Sequence, residues 1–452
     1  MRIAELAGQR VGIWGFGREG RAAIRALRKR LPELPLALYC GEDEVAQAQD
    51  FDAALRIYPH EPDAVALSAY DIVIKSPGIS AYKPAIVTAQ AQGTRFTSGT
   101  ALWFGENPQA RVVAITGTKG KSTTTALLAH LARSLGVRTA LAGNIGLPLL
   151  ELLDEEAELW AIELSSFQTS EAGPLELGVI TSLYEEHLDW HGTRERYVAD
   201  KLKLADVARR LLVNAHQAPL LEKTAQHAQR LIFGQADGWH VAEGFIRRGD
   251  VDVFPLENVA IPGAHNALNA CAALAALEAM NVDAVAAAQA LATFRPLPHR
   301  LQLLGERDGL HWINDSISTT PQATLAALES LQGREVTVIV GGHDRGLDWG
   351  SFVDAVKTRT ALRIITQGAN GPRIAMALRS GKSEVPLGDV DKLTDAIEMA
   401  RIVTPEGGTV LLSPGAPSFD QYHDYAERGR RFAGMAGFDE SEISGIAGMG
   451  IG

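Results

Sequence analysis

Apolar residues in this chain come in short solid runs and seldom alternate with polar ones. Val11-Gly12-Ile13-Trp14, Leu36-Ala37-Leu38-Tyr39 and Asp71-Ile72-Val73-Ile74-Lys75 are separated by helical patterns. Such runs suit strands buried on both faces, the condition of a parallel sheet covered by helices. This first unit ends near the turn Asn107-Pro108. A second opens with Arg111-Val112-Val113-Ala114-Ile115-Thr116, then a Gly-rich loop and a helix from Ser122 to Leu135. It continues through Leu159-Trp160-Ala161-Ile162-Glu163 and Leu177-Gly178-Val179-Ile180 to an Ala-rich helical pair between Asn266 and Phe294. A third begins around Pro298 and holds Val336-Thr337-Val338-Ile339-Val340, Leu362-Arg363-Ile364-Ile365 and Thr409-Val410-Leu411-Leu412. The chain therefore reads as α/β throughout, in three domains: 1–107, Rossmann-like; 108–297, a central α/β domain; 298–452, a second Rossmann-like α/β domain. The Gly-rich tail after Ser444 predicts a poorly ordered terminus.

Composition narrows the classes. With 452 residues there is chain enough for two to four cores. A net charge of −11 argues against a nucleic-acid surface, yet leaves room for a local basic phosphate pocket. Cys40 and Cys271 are the two cysteines, far apart, which excludes a disulfide scaffold and suits a reducing compartment. There is no cationic-then-apolar leader, and the Ala-rich run from Ala267 is broken by Glu278, so no membrane insertion is expected and the default is the cytoplasm.

The strongest local signal is Thr116-Gly117-Thr118-Lys119-Gly120-Lys121-Ser122-Thr123, between a β-run and an amphipathic helix. Glycines let backbone N–H groups turn toward phosphates, and the helix N-terminus favours the anion. Lys121 would reach the terminal phosphates and the Ser122 hydroxyl would bind Mg²⁺. The loop is shorter than the usual phosphate loop, because Ile115 stands where its first glycine belongs. A helix-capping turn is the bland alternative; strand, loop, Lys-Ser pair and helix together favour nucleotide binding, and make the central domain a P-loop ATPase domain.

This loop resembles the shortened ATP loop of the Mur ligases, which build the peptide stem of peptidoglycan. Further matching patches follow in order: Gly143-Asn144-Ile145-Gly146, Glu163-Leu164-Ser165-Ser166-Phe167-Gln168, His187-Leu188-Asp189, Pro262-Gly263-Ala264-His265-Asn266 and Asn314-Asp315-Ser316. The likeness spans all three units and is greatest to the branch that adds glutamate to UDP-N-acetylmuramoyl-L-alanine. It implies a cytoplasmic, ATP- and Mg²⁺-dependent ligase of cell wall biogenesis, tied to cell shape and division. A monomer is expected.

The resemblance assigns roles residue by residue. Lys121, Asn144, Glu163, His187 and Lys201 become catalytic. Ser122, Glu163, His187 and Lys201, the last as a carbamate, become metal ligands. Read alone, His187 is a surface or capping histidine and Lys201 a solvated helix lysine. Imidazole is also an unusual ligand for a hard cation. The nucleotide is assigned to Gly117, Thr118, Lys119, Gly120, Lys121, Ser122 and Thr123, with Asn266 and Asn269 at the adenine. Arg300 and Asp315 would act on it from the third domain. Helix capping is the bland reading of Asn266.

At the N-terminus, Gly15-Phe16-Gly17-Arg18-Glu19-Gly20 follows a strand and fits the dinucleotide fingerprint, with Glu42 after the next strand. Alone this suggests NAD and an oxidoreductase, but nothing downstream supplies a hydride-transfer site. We assign Gly15, Phe16, Gly17, Arg18, Glu19, Ser76, Pro77 and Gly78 to the UDP-linked substrate.

The glutamate end departs from the usual D-glutamate enzyme. The resemblance expects lysine after Asn314-Asp315-Ser316, where this chain has Ile317, and a second lysine where it has Arg345. Thr319, Arg345, Ser418 and Tyr425 are the expected glutamate-binding residues. These changes resemble the variant branch that adds L-glutamate, whose product a pathway epimerase then corrects. The alternatives are ligation of D-glutamate after neutral drift, a non-catalytic nucleotide-dependent regulatory protein, and a folate polyglutamate ligase, which would not need the first domain.

Overall fold

The computed structural model describes residues 1–184, 188–261, 263–295, 297–443 and 449–452. They fall into two compact units, Met1–Phe294 with Gly448–Gly452, and Arg295–Ala447.

The first unit contains two parallel sheets. In the N-terminal one, β1 (Val11–Trp14), β2 (Leu36–Tyr39), β3 (Arg56–Tyr58), β4 (Ile72–Lys75) and β5 (Arg95–Thr97) lie in the order β3-β2-β1-β4-β5. All neighbours are parallel. β1, β2 and β4 are buried along their whole length, as solid apolar runs require. The order reverses between β1 and β4, so their C-terminal ends open a crevice where ligands of such sheets bind.

The central sheet is built from β6 (Val112–Thr116), β7 (Thr139–Gly143), β8 (Leu159–Glu163), β9 (Leu175–Ile180), β10 (Ala208–Asn214) and β11 (Arg230–Phe233), in the order β11-β10-β9-β6-β8-β7. Every residue of β6, β7 and β8 is buried. β6 lies between β9 and β8, and the loop that leaves it sits at this sheet's own switch point. The helix Ala264–Ala279 packs on the helix Lys121–Ser134 that follows the loop. A small antiparallel meander, β12 (Trp239–Ala242), β13 (Phe245–Arg248) and β14 (Val251–Pro255), completes this part.

The second unit orders β15 (Gln302–Arg307), β16 (Leu310–Asn314), β17 (Val336–Val340), β18 (Leu362–Thr366), β19 (Leu387–Asp389) and β20 (Thr409–Leu412) as β15-β16-β20-β17-β18-β19. β15 is antiparallel to β16, and the rest are parallel.

The tail expected to be poorly ordered includes residues 444–448, which lie outside the described residues. Its last residues form β21 (Gly450–Ile451), antiparallel to β7, with Gly450 opposite Leu141 and Ile451 opposite Ala140. Unpaired N–H and C=O groups on the open edge of β7 supply the reason: a short extended segment satisfies them. Among the described residues, no helix is long and apolar enough to cross a membrane.

Candidate active site

The phosphate loop is held by neighbours on two sides. Gly117 has φ +150° and Gly120 φ +86°, backbone that other residues rarely adopt. A Cβ on Gly120 would also collide with the side-chain oxygen of Asn269. The amides of Thr118 and Lys119 donate to Ser182, to its carbonyl at 3.0 Å and its hydroxyl at 2.8 Å respectively. The Lys121 ammonium folds back on its own loop, donating to the Thr118 carbonyl at 3.0 Å. Asn269 Nδ2 lies 3.4 Å from Asn266 Oδ1, so both predicted adenine residues stand beside the loop. The cap position of their helix belongs to Gly263, and Asn266 lies inside the first turn.

The carboxylate side is buried. Glu163, at the end of β8, is 1% exposed. Asn144, just past β7, donates from Nδ2 to Glu163 Oε1 at 2.7 Å and from its amide to the Glu163 carbonyl at 2.9 Å. Adjacent parallel strands bring the two together. Glu163 Oε2 is buried with no hydrogen-bond partner among the described residues, which fits a cation held there. Lys201 is not a solvated helix lysine: it is 2% exposed, with Nζ 5.0 Å from the centre of the Tyr197 ring. The Tyr197 hydroxyl in turn lies 2.6 Å from Thr118 Oγ1. Sequence reasoning missed Tyr197, although it stands one helical turn before Lys201, a spacing that places side chains together. His187 lies outside the described residues. Among those described, no three His, Cys, Asp or Glu side chains converge as a metal site.

At the N-terminal sheet, a Cβ on Gly15 would run into Ser76, which follows β4. Ser76 Oγ is buried and unpartnered among the described residues. Two predicted substrate segments therefore meet at the switch point, and Trp190 Nε1 donates to the Pro77 carbonyl at 3.0 Å. Gly17 and Arg18 are exposed, and Arg18 reaches the Gly146 carbonyl at 3.4 Å. The Phe16 side chain is core, 1% exposed and edge-on to Phe51. Burial pushes the Glu19 carboxyl up to about 7, with repulsion from Glu171 and Glu151 added. A cavity of about 870 Å³ lies at the opposite, N-terminal edge of this sheet, lined by Arg10, Arg30, Arg56, Tyr58 and Tyr70 among others. None of the predicted residues lines it, so its size does not make it the reactive site.

In the second unit, Asp315 follows β16 and is 3% exposed. It accepts from the Leu301 amide at 3.0 Å, Ser318 Oγ at 2.5 Å and Ser413 Oγ at 2.8 Å. Burial pushes its carboxyl up to about 6 in spite of these bonds and of Arg300. The loops after β16, β17 and β20 are stitched together: the Gly415 amide donates to Ser318, Gly341 to Pro414 and His343 to Pro417. Thr319, Arg345 and Ser418 thus rise from one loop cluster. Arg345 is exposed, Thr319 half-buried, and Ser418 buried with Oγ unpartnered among the described residues. Tyr425 opens the helix Tyr425–Met435, 38% exposed, its ring 6.0 Å from His299. Arg428, 1% exposed, was not foreseen; it bonds Ser316 and the carbonyls of Ala416 and Pro417. Nothing in a lone arginine on a polar helix announces that role.

Comparison with known proteins supplies the family. Residues 115–277 match the Mur ligase middle domain and residues 299–415 the Mur ligase glutamate ligase domain. The chain belongs to the Mur ligase family. Within it, the chain is 50% identical over 468 aligned residues to UDP-N-acetylmuramoyl-L-alanine--L-glutamate ligase of Xanthomonas axonopodis pv. citri (strain 306), covering 100% of both. The protein of that name from Salinispora tropica is 37% identical, over 96% of this chain and 98% of its own. Among solved structures, UDP-N-acetylmuramate-alanine ligase MurC from Thermotoga maritima is similar, with TM-score 0.60 and 20% identity over 94% of this chain and 98% of that one. So is the MurF ligase from Thermotoga maritima in complex with ADP, with TM-score 0.57 and 16% identity over 96% of this chain and 94% of that one. These two likenesses concern the fold.

Proposed function

We propose that this chain uses ATP to join L-glutamate to the L-alanine carboxylate of UDP-N-acetylmuramoyl-L-alanine, in the cytoplasmic synthesis of peptidoglycan precursors. The observation that carries the reading is full-length identity of 50% to a relative bearing that activity in its name. The chain's own residues support it. Residues 1–107 would hold the UDP group at Gly15 and Ser76, residues 108–297 ATP, and residues 298–452 glutamate.

A carboxylate is a poor electrophile, so it must first be activated. One L-alanine carboxylate oxygen attacks the ATP γ-phosphorus in line, and the bond to the β-phosphate oxygen breaks to release ADP. The glutamate amine then attacks the acyl carbon, loses a proton, and phosphate leaves. Lys121 would leave the Thr118 carbonyl for the transferring phosphate and meet charge that grows in the transition state. Loop amides hold the phosphates, and Asn144 keeps Glu163 oriented. Mg²⁺, when bound, supplies further positive charge; Ser122, Glu163 and Lys201 as its carbamate would hold it, with His187. Alignment of three substrates contributes up to about 7–11 kcal/mol. A regulatory protein without catalysis would have no use for a buried Glu163 and Lys201 beside a phosphate loop.

For glutamate, a lysine is replaced by Ile317 and another by Arg345. Inverting the α-carbon while the amine stays aimed at the acyl phosphate redirects a carboxylate, so its cationic partner must differ. Arginine grips a carboxylate with two prongs where lysine is a point charge. An epimerase acting on the product is the partner this stereochemistry calls for. The test is product formation with each enantiomer at equal concentration: L-glutamate should win, and Arg345→Lys should reduce its use about tenfold or more while leaving the KM for ATP near normal. Faster amidation of D-glutamate by the unmodified chain would overturn the reading.

A further inference from the structure

Behind the catalytic residues runs a buried chain of side chains that the reaction does not use. His191 Nδ1 lies 2.7 Å from Asp200 Oδ2, and His191 Nε2 lies 2.9 Å from Ser166 Oγ. Relative exposures are 0% for His191, 4% for Asp200 and 4% for Ser166. Serine, histidine and aspartate in this order suggest a nucleophile, but a hydroxyl so enclosed meets no outside ester. The ends of the chain show what it joins. Ser166 stands three residues beyond Glu163, and Asp200 immediately precedes Lys201.

A fourth member arrives from the N-terminal sheet. The Tyr82 hydroxyl lies 2.8 and 2.7 Å from the two Asp200 carboxylate oxygens. The same loop holds the segment before Asp200 again: Ser80 Oγ donates to the Trp190 carbonyl at 2.6 Å, and Trp190 Nε1 to Pro77. The Trp190 ring stacks on Phe167 at 4.6 Å and meets Tyr82 edge-on at 5.7 Å. Lys203 Nζ reaches Asp200 Oδ1 at 2.7 Å from outside. Asp200 thus accepts from three other segments or turns, as a charged buried group must.

We infer that Tyr82, His191 and Asp200 are positioning residues of the ligase: they lock the helix Arg194–Val207 to the end of β8 and to the loop 76–82, and so fix where Lys201 stands. The inference rests on Lys201 being a working residue of the reaction proposed above. It gives the loop after β4, where the UDP-linked substrate is expected, a mechanical connection to the catalytic lysine.

The decisive variant is Tyr82→Phe, which keeps the ring on Trp190 and removes only the hydroxyl. Its kcat should fall about tenfold to a hundredfold, as for displaced catalytic groups. The KM for ATP should stay within about twofold, and the unfolding midpoint should move little. Asp200→Asn should do the same more severely; if it does not fold, Tyr82→Phe decides. After exposure to ¹³C-bicarbonate, the carbamate resonance lost in Lys201→Ala should be weakened or displaced in Tyr82→Phe, which a purely structural role would not bring about. Unmodified kcat and resonance in Tyr82→Phe, beside an inactive Lys201→Ala, would overturn this inference and leave the ligase reading standing. An active Lys201→Ala would overturn the role of Lys201 and this inference with it.

Discussion

The phosphate side of the first unit and the loops proposed to hold glutamate in the second are built on different plans. Around the phosphate loop the groups proposed to work are enclosed: Glu163 is 1% and Lys201 2% exposed, and Tyr197 and Ser182 bond the loop from outside. In the loops after β16, β17 and β20 the backbone is stitched just as firmly, yet Arg345 stands exposed at the tip. Chemistry common to a whole family tolerates a rigid, prepaid geometry. On the glutamate site proposed above, choice of amino acid would sit on side chains that can be exchanged without disturbing the frame.

The largest expected effect tests the enclosed side. Lys121→Ala should lower ADP release about 10²–10³-fold or more, by loss of a group aimed at developing charge. Its fold should survive, because Lys121 opens its helix at a half-buried position and its side chain is not among the buried core residues. Near-normal turnover, measured as ADP formed with all three substrates present, would sink the phosphate-loop assignment.

The same contrast explains what the sequence could tell. Strands β1, β2, β6, β8, β17 and β20 were legible because burial on both faces demands solid apolar runs. The phosphate loop was legible because its conformation demands glycine and its ligand demands lysine and serine. Edge strand β3 and the meander β12 to β14 were not, since half-exposed Arg56-Ile57-Tyr58 looks like any loop. Burial of Lys201 was hidden too: the chain that ends on its neighbour Asp200 draws Tyr82, Ser166 and His191 from separate segments, and only folding shows that they meet. At the other end, Ile317 and Arg345 carried a signal only as departures from a known pattern.

A second prediction concerns Asp315, the buried carboxyl at the foot of the loops that carry the exposed Arg345. Its folded value of about 6 stands above the ordinary 3.8, chiefly through burial. The folded state therefore holds its proton more tightly than the unfolded chain. That contribution is whole below about pH 4 and is lost as pH rises through about 6. Two units correspond to about 3 kcal/mol. Asp315→Asn carries no such titration, so its unfolding midpoint, followed by denaturant melts between about pH 4 and 7, should fall less with rising pH than that of the unmodified chain. Parallel pH profiles for the two proteins would mean that burial of Asp315 does not raise its carboxyl and would set it beside the solvated groups of the loop tip.

The smallest effect concerns the outer rim of the enclosed side. There Thr139 and Gly452 exchange backbone hydrogen bonds at 2.8 and 3.2 Å, and an Arg133 guanidinium nitrogen donates to the Gly450 carbonyl at 2.8 Å. Each such bond adds about 0.5–1.5 kcal/mol net, and the strand also covers groups of β7 that water would otherwise solvate. Since water can replace part of what is lost, removing residues 449–452 should lower the thermal midpoint by a few degrees only, about what 1–2 kcal/mol gives in a domain of this size. The effect on turnover should be smaller than for any variant above, although β7 leads into Gly143 and Asn144. Both flanks of that turn are held independently, by the Asn144 amide on the Glu163 carbonyl and the Gly143 amide on the Leu147 carbonyl at 2.7 Å. Differential scanning calorimetry of the shortened chain reads the first quantity, and ADP release the second. A midpoint unchanged within about half a degree would mean that β21 adds nothing to the sheet. A loss of turnover as large as that of Lys121→Ala would mean that the enclosed side depends on its rim as much as on its centre.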